Sequence, residues 1–127
     1  MKYIAIVHKN KETGVAVTLP DFPGCLCTAA TVSEVEAEAQ RAVERFGENE
    51  AFAPPSPISF EQVLERPEAK GALLMLIDIS FDFLDERIVA MNISMPAYMR
   101  ERIDRAAKAK GMTRSGYLMQ AARAFGA

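Results

Sequence analysis

The chain has 127 residues, is 50% hydrophobic and carries a formal net charge of −2. That suits one globular domain or two very small ones with a core of modest size. It excludes a membrane span, which needs roughly 18 consecutive apolar residues. The apolar run at the N-terminus is too short for a signal peptide and no small-residue cleavage site follows it, so a cytoplasmic location with no membrane partner is expected.

In chain order, residues 3–7 are apolar and β-prone, residues 9–14 read as a hairpin turn, and residues 15–19 form a second strand. Pro20, Pro23 and Gly24 mark a rigid turn, because proline fixes φ and glycine accepts a positive one. Residues 25–29 then make a third strand, and two successive hairpins predict an antiparallel meander. Thr31 and Glu34 have the spacing of a capping box. Behind them Val32, Val35, Ala39, Ala42, Val43 and Phe46 recur at helical spacing, with Glu34, Glu36, Glu38, Arg41, Glu44 and Arg45 largely off that stripe. Gly47 is placed to stop this helix.

A proline-rich loop is expected over residues 48–57, and a short helical turn around residues 60–64. Residues 72–79 form an apolar run broken only by Asp78, which predicts a strand covered on both faces. The N-terminal part is therefore β-β-β-α-β, an α+β layer with one main helix, over residues 1–80. Residues 81–86 are the candidate linker and 87–127 the second domain. There residues 88–95 alternate weakly, Pro96 opens a helix at its first turn and Gly111 closes it. Thr113 caps a second helix with Tyr117, Leu118, Ala121, Ala122 and Phe125 on its apolar face.

The residues for chemistry are scarce. Cys25 and Cys27 read as buried or half-buried free thiols, and His8, the only histidine, as a strand surface residue. These supply no zinc site. Metal-dependent nuclease chemistry needs several converging carboxylates, and only Asp21, in a turn, and Asp78, at a strand end, are placed near it. No Ser/His/Asp set, P-loop or dinucleotide fingerprint is present. No catalytic residue, metal or cofactor is expected. Methionines 91, 95, 99, 112 and 119 read as core filling.

One strand followed by two short helices cannot bury itself. The economical solution is a second copy, with two strands paired as a ribbon over four helices. The residues Val89-Ala90-Met91-Asn92-Ile93-Ser94-Met95-Pro96, then Ile103, Asp104, Ala107 and the turn Gly111-Met112-Thr113-Arg114-Ser115, resemble the ribbon-helix-helix DNA-binding fold. The resemblance implies that Met91, Ile93 and Met95 face a shared dimer core. It places Ala90, Asn92 and Ser94 toward the major groove, which admits a two-stranded ribbon. Thr113, Arg114 and Ser115 would hold a phosphate at a helix N-terminus. Ribbon-helix-helix proteins often carry a long polar or basic residue where this chain has Ala90. Asn92 and Ser94 are thus the remaining readers, and phosphate contacts should supply most of the affinity.

Upstream, the segment from Gly14 through Leu19-Pro20-Asp21-Phe22-Pro23-Gly24-Cys25, followed by the Thr31 helix, resembles the HicB-like antitoxin domain over residues 1–46 and again at 73–80. That resemblance implies a partial ribonuclease-H-like fold, a HicA-like mRNA-cleaving toxin as partner, and repression of the operon by a homodimer bound to operator DNA. Pairing of dimers into a tetramer is left open.

The charge agrees independently. Up to Asp85 there are seven Lys/Arg and fourteen Asp/Glu, net −7; from Glu86 on there are eight and three, net +5. An acidic domain complements a basic RNA-binding toxin, with the helix surface after Thr31 the expected meeting face, and a basic domain complements DNA. The competing readings are a stand-alone ribbon-helix-helix repressor with an N-terminal sensing or oligomerisation domain, and a small nuclease using Asp21 or Asp78.

Overall fold

A computed structural model describes residues 1–12, 14–48 and 52–127. It divides into two compact units, Met1–Arg87 and Ile88–Ala127. Parts of the expected hairpin turn (residue 13) and proline-rich loop (residues 49–51) lie outside the described residues.

The first unit is a four-stranded antiparallel sheet in the order β3-β2-β1-β4. Strands β1 (Lys2–Asn10), β2 (Gly14–Thr18) and β3 (Leu26–Ala29) form the expected meander. Gly14 carries φ +99, and a Cβ there would collide with the carbonyls of Ala29 and Ala30. Only glycine fits where the hairpin re-enters the sheet.

Helix α1 (Val35–Glu48) crosses one sheet face and buries Val35, Ala39, Ala42 and Val43. These pack on Tyr3, Ala5, Val7, Val15, Val17, Cys27 and Ile77. Two expectations about this helix fail. Thr31 makes no capping hydrogen bond. The first turn is a tight 3-10 turn, in which the Glu34 amide donates to the Thr31 carbonyl (3.1 Å) while the Thr31 hydroxyl pairs with Ser33 (2.9 Å). Nor does Gly47 end the helix, since it lies inside α1. Its missing side chain leaves room for Phe83 and Phe52, whose rings come within 3.3 and 3.4 Å of a would-be Cβ.

The short helix α2 (Phe60–Leu64) forms where expected, with a capping box that the sequence reading did not assign: Gln62 N–H donates to the Ser59 hydroxyl. Val63 of α2 and Ile6 of β1 are both fully buried.

Strand β4 (Leu73–Asp78) corrects the expectation of two-sided cover. It is an edge strand, antiparallel to β1, with Tyr3 opposite Ile77 and Ile4 opposite Leu76. Ile77 faces the core, whereas Leu76 on the other sheet face is 64% exposed. An unbroken apolar run hid this alternation. Residues 81–86 are not a bare connector: Phe81 and Phe83 join Phe22, Phe46, Phe52 and Tyr3 in an aromatic cluster with ring centroids 5.0–6.5 Å apart.

The second unit holds α3 (Ala97–Ala109) and α4 (Arg114–Phe125). Pro96 is the cap of α3 rather than part of its first turn, and its carbonyl accepts from Met99 and Arg100. Among the described residues no helix is long and apolar enough to cross a membrane.

Candidate functional site

In the second unit, Gly111 (φ +67) ends α3. Its amide donates to Lys108 and that of Met112 to Ala107, the paired bonds of a Schellman turn. The chain then enters α4 through Thr113, whose hydroxyl accepts from the Gly116 amide at 3.0 Å, as a cap should. Thr113, Arg114 and Ser115 are exposed at this helix start. The Arg114 guanidinium grips both carboxylate oxygens of Asp104, at 2.7 and 2.8 Å. This bond ties α4 to α3 and holds the Asp104 carboxyl below the usual aspartate range. Arg114 therefore braces the helix pair in the single chain, a role its sequence position did not announce.

Residues 88–95 carry Ala90, Asn92 and Ser94, all exposed, and form no ladder among the described residues. Met91 is 76% exposed and Ile93 54%; Met95 is half-buried. Only Ile103 and Ala107 are buried in the whole unit. Five cations lie on or just after α3 (Arg100, Arg102, Arg105, Lys108 and Lys110), with Arg102 stacked on Tyr98 at 4.9 Å. The single chain thus assembles the α4 helix start, whereas the segment with Ala90, Asn92 and Ser94 pairs with no strand among the described residues.

In the first unit the candidate carboxylates are kept apart by structural work. Asp21 is buried and accepts from the Ile58 amide at 2.7 Å. Burial pushes its carboxyl above the usual range, against the pull of that bond and of Arg66. Asp78 pairs with the N-terminal ammonium at 3.1 Å. Cys27 is buried and its thiol is pushed up to about 11, by burial and then by Cys25 and Glu38. It stays protonated and unreactive at neutral pH. His8 contacts the Glu68 carbonyl at 2.6 Å. Among the described residues no three His, Cys, Asp or Glu gather as a metal site requires.

Two residues of α1 act on the sheet edge, which the sequence reading missed. Glu36 accepts from the Asp78 amide at 3.1 Å. Gln40 accepts from the Ser80 amide and donates to the Ser80 carbonyl, both at 2.8 Å. Their i, i+4 spacing, opposite an apolar strand that ends in Asp78, is the only signal that could have pointed to them.

Residues 3–122 match the family described as HicB_like antitoxin of bacterial toxin-antitoxin system. An uncharacterized 14.9 kDa protein from the rep-hol intergenic region of Haemophilus phage HP1 is 30% identical, covering 96% of this chain and 95% of that protein. The crystal structure of the Burkholderia pseudomallei antitoxin HicB is 28% identical, covers 96% of both chains and superposes with a TM-score of 0.56. A chain of the HicA3 and HicB3 toxin-antitoxin complex is 27% identical, covering 63% of this chain and 99% of its own, with a TM-score of 0.53.

Proposed function

Because the chain belongs to the HicB-like antitoxin family, a family of regulatory proteins rather than enzymes, we propose that it neutralises a cognate HicA-like toxin by direct binding. We propose also that it represses its own operon as a ribbon-helix-helix homodimer. The first unit is the toxin-binding part, a partial ribonuclease-H-like layer of meander, helix and return strand. The second unit is the dimerisation and DNA-binding part.

One observation carries this reading. The acidic unit has a core of its own, whereas the basic unit buries only Ile103 and Ala107 and leaves Met91 and Ile93 in solvent. Each such side chain gains roughly 1.5–3 kcal/mol on full burial. Residues 88–95 paired antiparallel with those of a second copy would cover Met91, Ile93 and Met95 in a shared core and turn Ala90, Asn92 and Ser94 outward to the major groove. The free amides at the start of α4 would hold a phosphate, with the α3 cations adding sequence-independent attraction.

Two experiments test it. Co-expression with the small basic protein encoded by an adjoining reading frame should rescue growth and co-purify a complex; absence of both rejects the antitoxin role. In fluorescence anisotropy, affinity for the operon's upstream DNA should fall steeply with salt. Arg114→Ala should weaken operator and random DNA alike, because it loosens the α3–α4 pair at the phosphate site, whereas Asn92→Ala should erode the preference for operator. Equal effects of both changes on both DNAs would reject base reading by the ribbon.

A further inference from the structure

Among the described residues, the outer edge of β4 is capped at one end and uncapped at the other. The amide of Ile79 bonds to the carbonyl of Met1 at 2.8 Å, and the N-terminal ammonium returns a bond to the Ile79 carbonyl at 2.9 Å. Met1 and Ile79 are thus a hydrogen-bonded pair of the antiparallel ladder. With Tyr3 opposite Ile77 and Ala5 opposite Met75, the alternation of such ladders turns the backbone groups of Leu73, Met75 and Ile77 toward β1. Those of Leu74, Leu76, Asp78 and Ser80 point away from it. Glu36 and Gln40 then cap the last two of these four positions. Gln40 pairs with both the amide and the carbonyl of Ser80, as a neighbouring strand would.

The other two, Leu74 and Leu76, have no such cap among the described residues. Soluble proteins guard such edges with charge, proline, a bulge or cover. Residues 73–77 carry no charge and no proline, and the register with β1 runs without a bulge. Leu76 and Leu73 are also largely exposed. An edge that is capped at two positions and bare at the next two fits a built docking strip better than neglect.

We propose that the Leu73–Leu76 stretch of β4 is the docking strip for the toxin, which adds an extended segment of its own to this edge as a fifth strand. The proposal rests on the antitoxin reading and specifies its contact. Charge selects the occupant. Glu36 and, through Gln40, Glu44 lie at the capped end of this edge beside Asp78, which pairs with the N-terminal ammonium, within a unit of net −7 up to Asp85. A second copy would bring the same acidic surface to the edge, whereas a basic strand meets complementary charge. The opposite edge, β3, is less suited, because the groove beside Leu26, Cys27 and Thr28 sets Arg45 against Glu38 and so presents no net negative charge. In this mode main-chain bonds to Leu74 and Leu76 give affinity, and the two leucine side chains select apolar residues on the incoming strand.

The test uses the full chain and a catalytically inactive form of the toxin encoded beside it. Leu76→Pro removes an amide that the β1–β4 ladder does not use, so an edge strand should tolerate it. Leu76→Lys is the second variant, should proline disturb the strand. Leu26→Lys on β3, at a side chain 87% exposed on the same sheet face, is the control. We expect hydrogen exchange at Leu74 and Leu76 to slow in the wild-type complex. We also expect Leu76→Pro to weaken binding by about tenfold or more, as loss of a main-chain bond and its neighbours implies, while Leu26→Lys stays within about twofold.

Unchanged exchange at both amides, or full binding by both Leu76 variants, overturns the proposal and leaves the antitoxin reading standing. A drop in the protein's own oligomer mass on Leu76→Pro, with toxin binding intact, assigns the edge to a second copy and also overturns it. If the wild-type chain binds no toxin, the antitoxin reading itself fails.

Discussion

Tyr3 and Asp21 hold the proline-rich loop from two sides. The Tyr3 hydroxyl donates to the Pro55 carbonyl at 2.8 Å, and the Asp21 carboxylate accepts from the Ile58 amide at 2.7 Å. Tyr3→Phe keeps the ring against Phe22 and Phe81 and removes only the hydroxyl. Urea unfolding should show a loss of about 1 kcal/mol, the usual net value of one hydrogen bond; no loss would mean that the loop is held by packing alone. Asp21 makes a prediction with a sign. Burial raises its carboxyl above the unfolded value, so the native state binds the proton more tightly than the unfolded state does. Its favourable contribution is therefore fully present below the ordinary aspartate range and is lost as pH rises through the raised value. Asp21→Asn keeps an oxygen to accept from Ile58 and cannot ionise. The melting temperature of wild type relative to Asp21→Asn should fall as pH is raised from about 3.5 to 6. A flat difference would mean that Asp21 is no more buried in solution than an ordinary surface aspartate.

At the scale of elements, the two units differ in what terminates and covers their helices. Gly111 has φ +67, where an L-residue is strained by about 1–2 kcal/mol. Gly111→Ala should lower the thermal stability of the α3–α4 hairpin by about that amount and weaken DNA binding in proportion. An unchanged melting temperature would show that the Schellman turn is dispensable. This turn was legible in the sequence, as were the meander and α1, because glycine at a helix end and apolar side chains at a fixed period are local signals. The capping at Thr31 was misread because a 3-10 turn shifts the amide to the backbone carbonyl, which no spacing reveals. The edge position of β4 was illegible for another reason. Leu73, Leu74, Met75, Leu76 and Ile77 are all apolar, so no alternation marks which face is wet. Only pairing with β1 alone, on the sheet's outer flank, tells the two faces apart. Likewise Glu36 and Gln40 read as a solvated helix face until the ladder shows whose backbone they satisfy. The groove-facing assignment of Ala90, Asn92 and Ser94 depends on a second chain and was readable only through family resemblance.

For the whole molecule, the division of stability between the units sets the strongest test. The sequence places the end of the first domain at residue 80, yet Phe81 and Phe83 lie inside the aromatic cluster with Phe52 and Phe22. A chain cut after Ser80 loses both rings and leaves Phe52 and Gly47 facing solvent. A chain cut after Arg87 keeps them. Since removing one core phenylalanine costs about 3–5 kcal/mol, and a unit of this size has only a few kcal/mol more than that to lose, residues 1–80 should be largely unfolded at 37 °C. Residues 1–87 should melt cooperatively, at a temperature independent of protein concentration. The second unit should behave in the opposite way. With Ile103 and Ala107 its only buried apolar side chains, its folding is tied to association, so its melting temperature should rise with protein concentration. In the full chain these behaviours should appear as two calorimetric transitions, of which only one shifts with concentration. The 1–87 fragment should retain toxin binding and lose operator binding. If it instead melts with the concentration dependence of the intact protein, the first unit carries the association, and the ribbon would no longer be the dimer's origin.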